Sequence, residues 1–222
     1  MNIETAKTKV AVIGLGQIGK AIATNLVKGK HPVILASGEK EKAQAFANQL
    51  GSLATATETT DAIMHADVVI PAIYFNNLKD FFKIYAAELD GKIIIDVSNP
   101  IAPDENGGFK KIIGESESAA KILSDFIPGN AKLIKAFGTL GAGSLSLEAF
   151  SEPERKVLFY ASDNTNSNSK IEELITASGF VPFHIGGIES AIRIEVFGDL
   201  HEFGGLGKTV TLNEAKNKSA HA

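Results

Sequence analysis

Short, almost unbroken apolar runs alternate along this chain with longer stretches in which apolar residues return every three or four positions. The runs rich in Val, Ile and Leu predict strands over 10–13, 30–37, 67–73, 92–98, 132–137, 156–161 and 180–185, with a weaker one over 52–55. Helical spacing is clearest over 17–28, where Ile18, Ile22 and Leu26 stand four apart. Further helices are expected over 39–50, closing at Gly51, from a Thr59 or Thr60 cap to His65, and over 76–89, 118–126, 170–178 and 188–203. Segment 101–115, with its Pro, Asp, Asn and paired glycines, predicts a loop long enough to act as a lid, and 138–146 a second loop. Strands that alternate with helices and are apolar on both faces predict an α/β domain with a doubly wound, mainly parallel sheet. The sheet is expected to extend from about residue 131 into the C-terminal third. This makes one unit over 1–205, followed by a polar, fraying tail over 206–222.

The first strand and helix flank Gly14-Leu15-Gly16-Gln17-Ile18-Gly19. A Gly-x-Gly-x-x-Gly turn between a buried strand and a helix is the context of a Rossmann-type dinucleotide site. Gly14 allows the tight turn, Gly16 lets the backbone approach a pyrophosphate, and Gly19 lets the helix pack closely on the strand. Free N–H groups and the positive end of the helix then face the diphosphate. A later run, Phe203-Gly204-Gly205-Leu206-Gly207, follows no strand and reads as a flexible exit from the last helix.

The end of the second strand bears on which dinucleotide binds. An NAD site places a carboxylate there, about 20 residues beyond the glycines. This strand ends Leu35-Ala36-Ser37-Gly38, with no acid at its tip. The Ser37 hydroxyl can bond a ribose 2′-phosphate, and Lys40 and Lys42 add positive charge, so NADP(H) is favoured over NAD(H). Glu39 is the opposing feature.

A chain of 222 residues can bury a substantial core unaided. Cysteine is absent, which excludes disulfides, thiolate zinc sites and cysteine nucleophiles. A formal charge of −4 and a pI near 5.8 argue against nucleic acid as the main partner. No stretch approaches a membrane span and the start carries no signal-peptide core, so a soluble, cytoplasmic protein is expected. His31, His65, His201 and His221 lack metal-ligand spacing.

Candidate acids are few. Tyr74 follows the fourth strand, Lys135 ends the sixth and His184 ends the eighth, all placed by this reading at the carboxyl edge where such sheets bind ligands. Each also has an ordinary reading: a pocket wall, a strand end and a packed strand residue. Ser98-Asn99-Pro100 is either a plain turn or, after an apolar strand, part of the ligand crevice.

Taken together, the glycine turn, Ile34-Leu-Ala-Ser37, Ile70-Pro-Ala-Ile73, Ile95-Asp-Val-Ser-Asn99-Pro100, Lys135-Ala-Phe137-Gly-Thr139 and the stretch 177–191 resemble the NADPH:deazaflavin oxidoreductase family. The resemblance runs from Lys9 to about Gly205, and the cytoplasmic domains of metalloreductases that pass electrons from NADPH to flavin are similar. It implies that Ser37 and the next residue hold the 2′-phosphate, although the family's usual arginine is Gly38 here. It also implies that Ala72 and Ile73 lie beside the cofactor, and that Asn99, Pro100, Ala136 and the 135–139 turn border the nicotinamide. The implied activity is hydride transfer from NADPH to a flavin, deazaflavin or similar planar small-molecule acceptor, by a homodimer. Such transfer needs stacking and exclusion of water more than an acid, because the cofactors carry the chemistry. Two other readings stay open: a redox sensor that binds NADP(H) without turnover, and a small-carbonyl dehydrogenase using Tyr74 or Lys135. The apolar side of the last helix, Ile188, Ile192 and Val196, is either an interface or core. Pyrroline-carboxylate reductases and hydroxyacid dehydrogenases open with similar glycine units, but the long helical region that follows in them is not expected here.

Overall fold

A computed structural model describes residues 7–105 and 107–219. Expectations for residues 1–6, for residue 106 and for the end of the tail, His221 included, lie outside the described residues. The elements in chain order are β1 (Val10–Ile13), α1 (Gln17–Lys28), β2 (Val33–Ala36), α2 (Lys40–Leu50), β3 (Ala54–Ala56), α3 (Thr59–His65), β4 (Val68–Pro71), α4 (Phe75–Ile84), α5 (Ala86–Leu89), β5 (Ile93–Asp96), β6 (Ile101–Pro103), β7 (Phe109–Lys111), α6 (Ala119–Ser124), β8 (Lys132–Lys135), α7 (Ala142–Leu147), β9 (Val157–Ser162), α8 (Thr165–Ala177), β10 (Val181–His184), a 3-10 helix (Ile188–Ile194) and α9 (Leu212–Ser219).

Eight strands form one sheet in the order β10-β9-β8-β5-β4-β1-β2-β3. Every neighbouring pair is parallel except β8 and β9. The double winding is visible in β1 itself: Val10 and Val12 enter the core shared with Ile22 and Leu26 of α1, while Ala11 and Ile13 enter the opposite core with Ile63 and Leu78. Both faces are dry, as unbroken apolar strands require. The expected mainly parallel α/β sheet is therefore borne out. The strand order reverses between β1 and β4, and at their carboxyl ends such a reversal opens a ligand crevice.

Several local expectations are corrected. Glu58, not Thr59 or Thr60, is the residue that precedes the first turn of α3, and it makes no capping bond. The helix over 76–89 breaks at Tyr85 into α4 and α5. Segment 101–115 holds a small antiparallel hairpin of β6 and β7, and 138–146 contains α7, docked on α1 by Asn25 Nδ2 donating to Leu145 O at 2.7 Å. The helix over 188–203 is only the 3-10 turn; Ile188 and Val196 are buried, which makes that apolar side core. The tail does not simply fray. Thr211 bridges Lys156, and α9 follows with Ala215 fully buried. Thr211-Leu-Asn-Glu214 has the spacing of a capping box, and Glu214 Oε2 accepts the Thr211 N–H at 2.8 Å.

Candidate functional site

The glycine turn is shaped by contacts that leave no room for side chains. Gly14 has φ +94°, and a Cβ there would lie 2.6 Å from Ala72 O and 2.9 Å from Ile73 Cγ2. A Cβ on Gly19 would run into Gly14 O and come within 3.2 Å of Ala72 Cβ. Gly14 N–H donates to Ala36 O and Ala72 N–H to Ile13 O, tying the ends of β1, β2 and β4 into one rim. Gly16 behaves differently: nothing lies within 4 Å of its absent Cβ, and it is exposed with extended backbone. Beyond it, the first-turn N–H groups of Gln17, Ile18 and Gly19 have no intrahelical acceptor, as in any helix, and no side chain caps them. Leu15 and Ile18 pack against the core as partly buried residues. The cradle is the kind a pyrophosphate fits: two glycines occupied by the protein's own backbone, one left open, and donors pointing outward.

At the end of β2, Ser37 Oγ donates to Glu39 O at 3.0 Å and accepts from Glu39 N–H at 3.1 Å, a local turn that holds the hydroxyl at the strand tip. Gly38 is exposed with open space at its Cβ. The two lysines are paired: Lys40 Nζ lies 2.6 Å from Glu58 Oε1, and Lys42 Nζ lies 2.6 Å from Glu39 Oε1. Hydrogen bonding to Glu58 and its charge raise the pKa of Lys40. Both pairs are solvent-exposed and are exchanged at little cost for another anion.

Ala72 and Ile73 are half-buried at the end of β4, and Tyr74 beyond them is 83% exposed. The carboxyl ends of β5 and β8 carry a buried polar network. Asp96 and Lys135 are register partners, and Lys135 Nζ sits 2.9 Å from Asp96 Oδ2 and also donates to Ser98 O. Both side chains are sealed from water. Lys135 is thus a structural cation under the crevice floor, a correction to its candidacy as an acid. Asn99 Nδ2 donates to Gly138 O at 2.9 Å while its Oδ1 accepts Val196 N–H at 2.7 Å, so this side chain splices three segments together. Pro100 is buried beside it, and Ala136 and Phe137 are fully buried. Ser98 Oγ, in a residue 6% exposed, has no partner among the described residues. An orphaned hydroxyl at the carboxyl end of β5 is a further feature that suits a bound polar group.

His184 is also corrected. Because β9 runs against β8 and β10 follows β9, β10 ends at the amino edge of the sheet, opposite the crevice. There His184 stacks on Tyr160 at 4.8 Å. Among the described residues, no three His, Asp or Glu side chains gather as a metal site. No helix among them is long and apolar enough to cross a membrane.

One contributor to the site was missed in the sequence. The segment 195–205 crosses the carboxyl edge, held there by Val196 N–H on Asn99, by Glu202 N–H on Thr139 O, and by Gly141 N–H on the Glu202 carboxylate. Glu195, 1% exposed, accepts from Ser118 Oγ and from the N–H groups of Ala119 and Ala120 at the start of α6. His201 is buried at the centre: Nε2 meets Gly138 O at 3.0 Å and Nδ1 accepts Phe203 N–H at 3.0 Å. Those partners require the neutral ring with its proton on Nε2. The Phe203–Gly207 stretch is therefore a folded loop and not a flexible exit; Gly205 N–H returns to Gly198 O at 3.0 Å.

Burial lowers the His201 pKa from 6.5 to about 4. In the window between those values the unfolded chain binds the proton and the folded chain does not, so stability falls as pH drops through it. The lost contribution is about 3 kcal/mol once pH is below both values. Urea unfolding at pH 7.5 and 4.5 is expected to show most of this loss in the wild type, since pH 4.5 is still just above the folded value, with a clearly smaller loss in His201→Gln. Equal losses in the two proteins would refute it.

Residues 9–100 match the family model described as NADP oxidoreductase, coenzyme F420-dependent. Metalloreductase STEAP3 of Rattus norvegicus is 26% identical over 187 residues, covering 84% of this chain and 36% of that protein. The chain thus spans about a third of the length of the curated relatives it matches. Among solved structures, the hypothetical protein SMa0349 of Sinorhizobium meliloti superposes with a TM-score of 0.78 at 27% identity, covering 92% of this chain and 95% of that one. A putative F420-dependent NADP-reductase from Arthrobacter sp. FB24 gives 0.68 at 20% identity, with coverage of 83% and 87%. These matches bear out the resemblance read from the sequence, with residues 9–100 matching an NADP oxidoreductase family model and the fold shared with the solved neighbours.

Proposed function

We propose, from the match of residues 9–100 to the family model described as NADP oxidoreductase, coenzyme F420-dependent, that this chain passes hydride from NADPH to a flavin, deazaflavin or similar planar acceptor. The observation that carries the proposal is the sealed Asp96–Lys135 pair: Lys135, the one buried lysine or arginine among the described residues, is already engaged and has no free proton to offer an acceptor. When bound, NADPH supplies the hydride, two electrons with one hydrogen, and the acceptor ring takes it up with a proton from solvent. The protein's part is to bind, orient and exclude water. Gly14, Leu15, Gly16, Gln17, Ile18 and Gly19 hold the pyrophosphate on their backbone, and Ser37, Gly38, Lys40 and Lys42 meet the 2′-phosphate once the two lysines leave their glutamates. Ala72, Ile73, Ser98, Asn99 and Pro100 wall the nicotinamide, and Ala136, expected there from the sequence, is fully buried and stands behind that wall. Asn99 shapes that wall through its bonds to Gly138 and Val196 and donates no proton to the acceptor. A cytoplasmic homodimer goes with this reading, and light scattering in solution reports the second part of it.

The test is oxidation of NADPH and NADH against flavins, deazaflavins, quinones, ferric chelates and small carbonyl compounds, with binding titrations in parallel. Turnover on planar acceptors with NADPH preferred is the expected result. Tight NADPH binding without turnover on any acceptor would replace it with the sensor reading. Turnover confined to carbonyls and lost in Tyr74→Phe would replace it with a dehydrogenase.

Coenzyme choice gives a sharper prediction. The open position at Gly38 admits an arginine without strain, since its φ lies outside the left-handed range and its Cβ meets nothing. Gly38→Arg is expected to tighten NADPH by about tenfold, the worth of one charge-assisted contact to phosphate, while leaving NADH affinity within twofold. Ser37→Asp with Lys40→Ala is expected to reverse the preference toward NADH.

A further inference from the structure

The loop over 195–205 contains one residue whose conformation its surroundings do not reward. Glu195-Val196-Phe197-Gly198 is a turn closed by Gly198 N–H on Glu195 O at 2.8 Å, and Phe197 occupies its third position with φ +68°. That left-handed position favours glycine or asparagine. Gly198, the next residue, is required where it stands, because a Cβ there would collide with Ile192 O and Arg193 O. The chain therefore carries an aromatic residue where the turn asks for glycine. Two other phenylalanines share positive φ, and each gains packing from it: Phe137 is fully buried and Phe150 lies under the cations of Lys28 and Arg155. Phe197 is 49% exposed.

Its position is set by the site. Val196, the residue before it, is bonded through its N–H to Asn99 Oδ1, and Asn99 in turn holds Gly138 at the end of β8. Gly204 packs on the backbone of Phe197 and Gly198 so closely that no Cβ fits. Phe197 is thus the residue next to one whose backbone is bonded to the Asn99 side chain, and its ring is half-exposed. Strain retained without a packing return, at a site, points to a role in binding.

We propose that Phe197 is the stacking face of the acceptor site, selecting flat aromatic acceptors by contact with its ring. The proposal rests on the hydride-transfer reading of the same crevice. Aromatic stacking adds to affinity without any hydrogen-bond specificity, which suits a site that carries no acid for its acceptor.

The test uses the full chain with riboflavin and a deazaflavin as acceptors. Phe197→Gly relieves the left-handed strain and removes the ring together. It is expected to raise the melting temperature by about 2–4 °C, to leave the NADPH dissociation constant unchanged, and to weaken the acceptor by about tenfold in KM and in fluorescence-quenching titrations. Phe197→Tyr is expected to keep wild-type acceptor affinity and wild-type melting. A merely structural phenylalanine would give the opposite pairing, lower melting and unchanged acceptor affinity, and that result overturns the proposal. Wild-type turnover matched by Phe197→Gly overturns it while leaving the hydride-transfer reading intact. Failure of the wild type to reduce or bind any planar acceptor overturns both.

Discussion

Gly19→Ala is expected to lose NADPH binding by two orders of magnitude or more and to destabilise the fold by about 1–3 kcal/mol, the cost of forcing atoms into a packed site. The new methyl would run into Gly14 O and press on Ala72 Cβ, at the one place where the end of β1, the start of α1 and the end of β4 meet. The helix must back away from the strand, and its first-turn N–H groups move with it. Gly16→Ala is the control that separates fold from ligand. Nothing lies within 4 Å of its Cβ, so melting is expected to stay within a degree or so of wild type. Any loss of NADPH affinity then measures clearance for the pyrophosphate. Thermal melts with fluorescence titrations on the two variants decide the matter; intact NADPH binding in Gly19→Ala would refute the close-packing account.

The second large effect belongs to Lys135. Lys135→Met is expected to cost about 3–5 kcal/mol, because it strands the Asp96 carboxylate in a dry core. Asp96 keeps one bond, from Ser98 N–H to its Oδ1 at 2.8 Å, but loses the cation that faced its other oxygen. Adding Asp96→Asn removes the orphaned charge and is expected to recover more than half of the loss. Denaturant unfolding of the two single variants and the pair forms the cycle. The folded double variant is expected to oxidise NADPH at a rate within severalfold of wild type. Loss of turnover there, with binding retained, would return Lys135 to the list of acids and revive the carbonyl dehydrogenase.

Only what depends on neighbours in sequence was legible in it. β1, α1, β2, α2 and β4 lie where apolar runs and fourfold spacing put them, and the glycine turn between β1 and α1 has the backbone its spacing demands. These features are local: a strand, a turn and a helix declare themselves within about twenty residues. The double winding followed as well, because a strand apolar on both faces must be covered twice. Errors gathered where long-range contacts outvote the local pattern. The tail reads as polar and frayed, yet Val210 and Ala215 are buried against β9 and the 3-10 helix, and only the Thr-x-x-Glu spacing hinted at α9. The stretch 188–203 has helical spacing, but a helix there could not deliver Val196 to Asn99, His201 to Gly138 and Glu202 to Gly141. Those bonds prevail because each satisfies a buried polar group that would otherwise go unpaired.

The strand direction at β9 shows the same division for the chemistry. Eight apolar strands do not say which of them runs backward, and His184 changes edges of the sheet when one does. Lys135 likewise reads as a strand-end cation until the register sets Asp96 beside it. The sequence by itself determined a mainly parallel α/β fold and the place of its glycine turn, since one short segment carries that backbone geometry. The tertiary structure alone decided which side chains border the crevice. Those residues come from the ends of β4, β5 and β8 and from a loop about a hundred residues beyond Asn99, and only packing brings them to one edge.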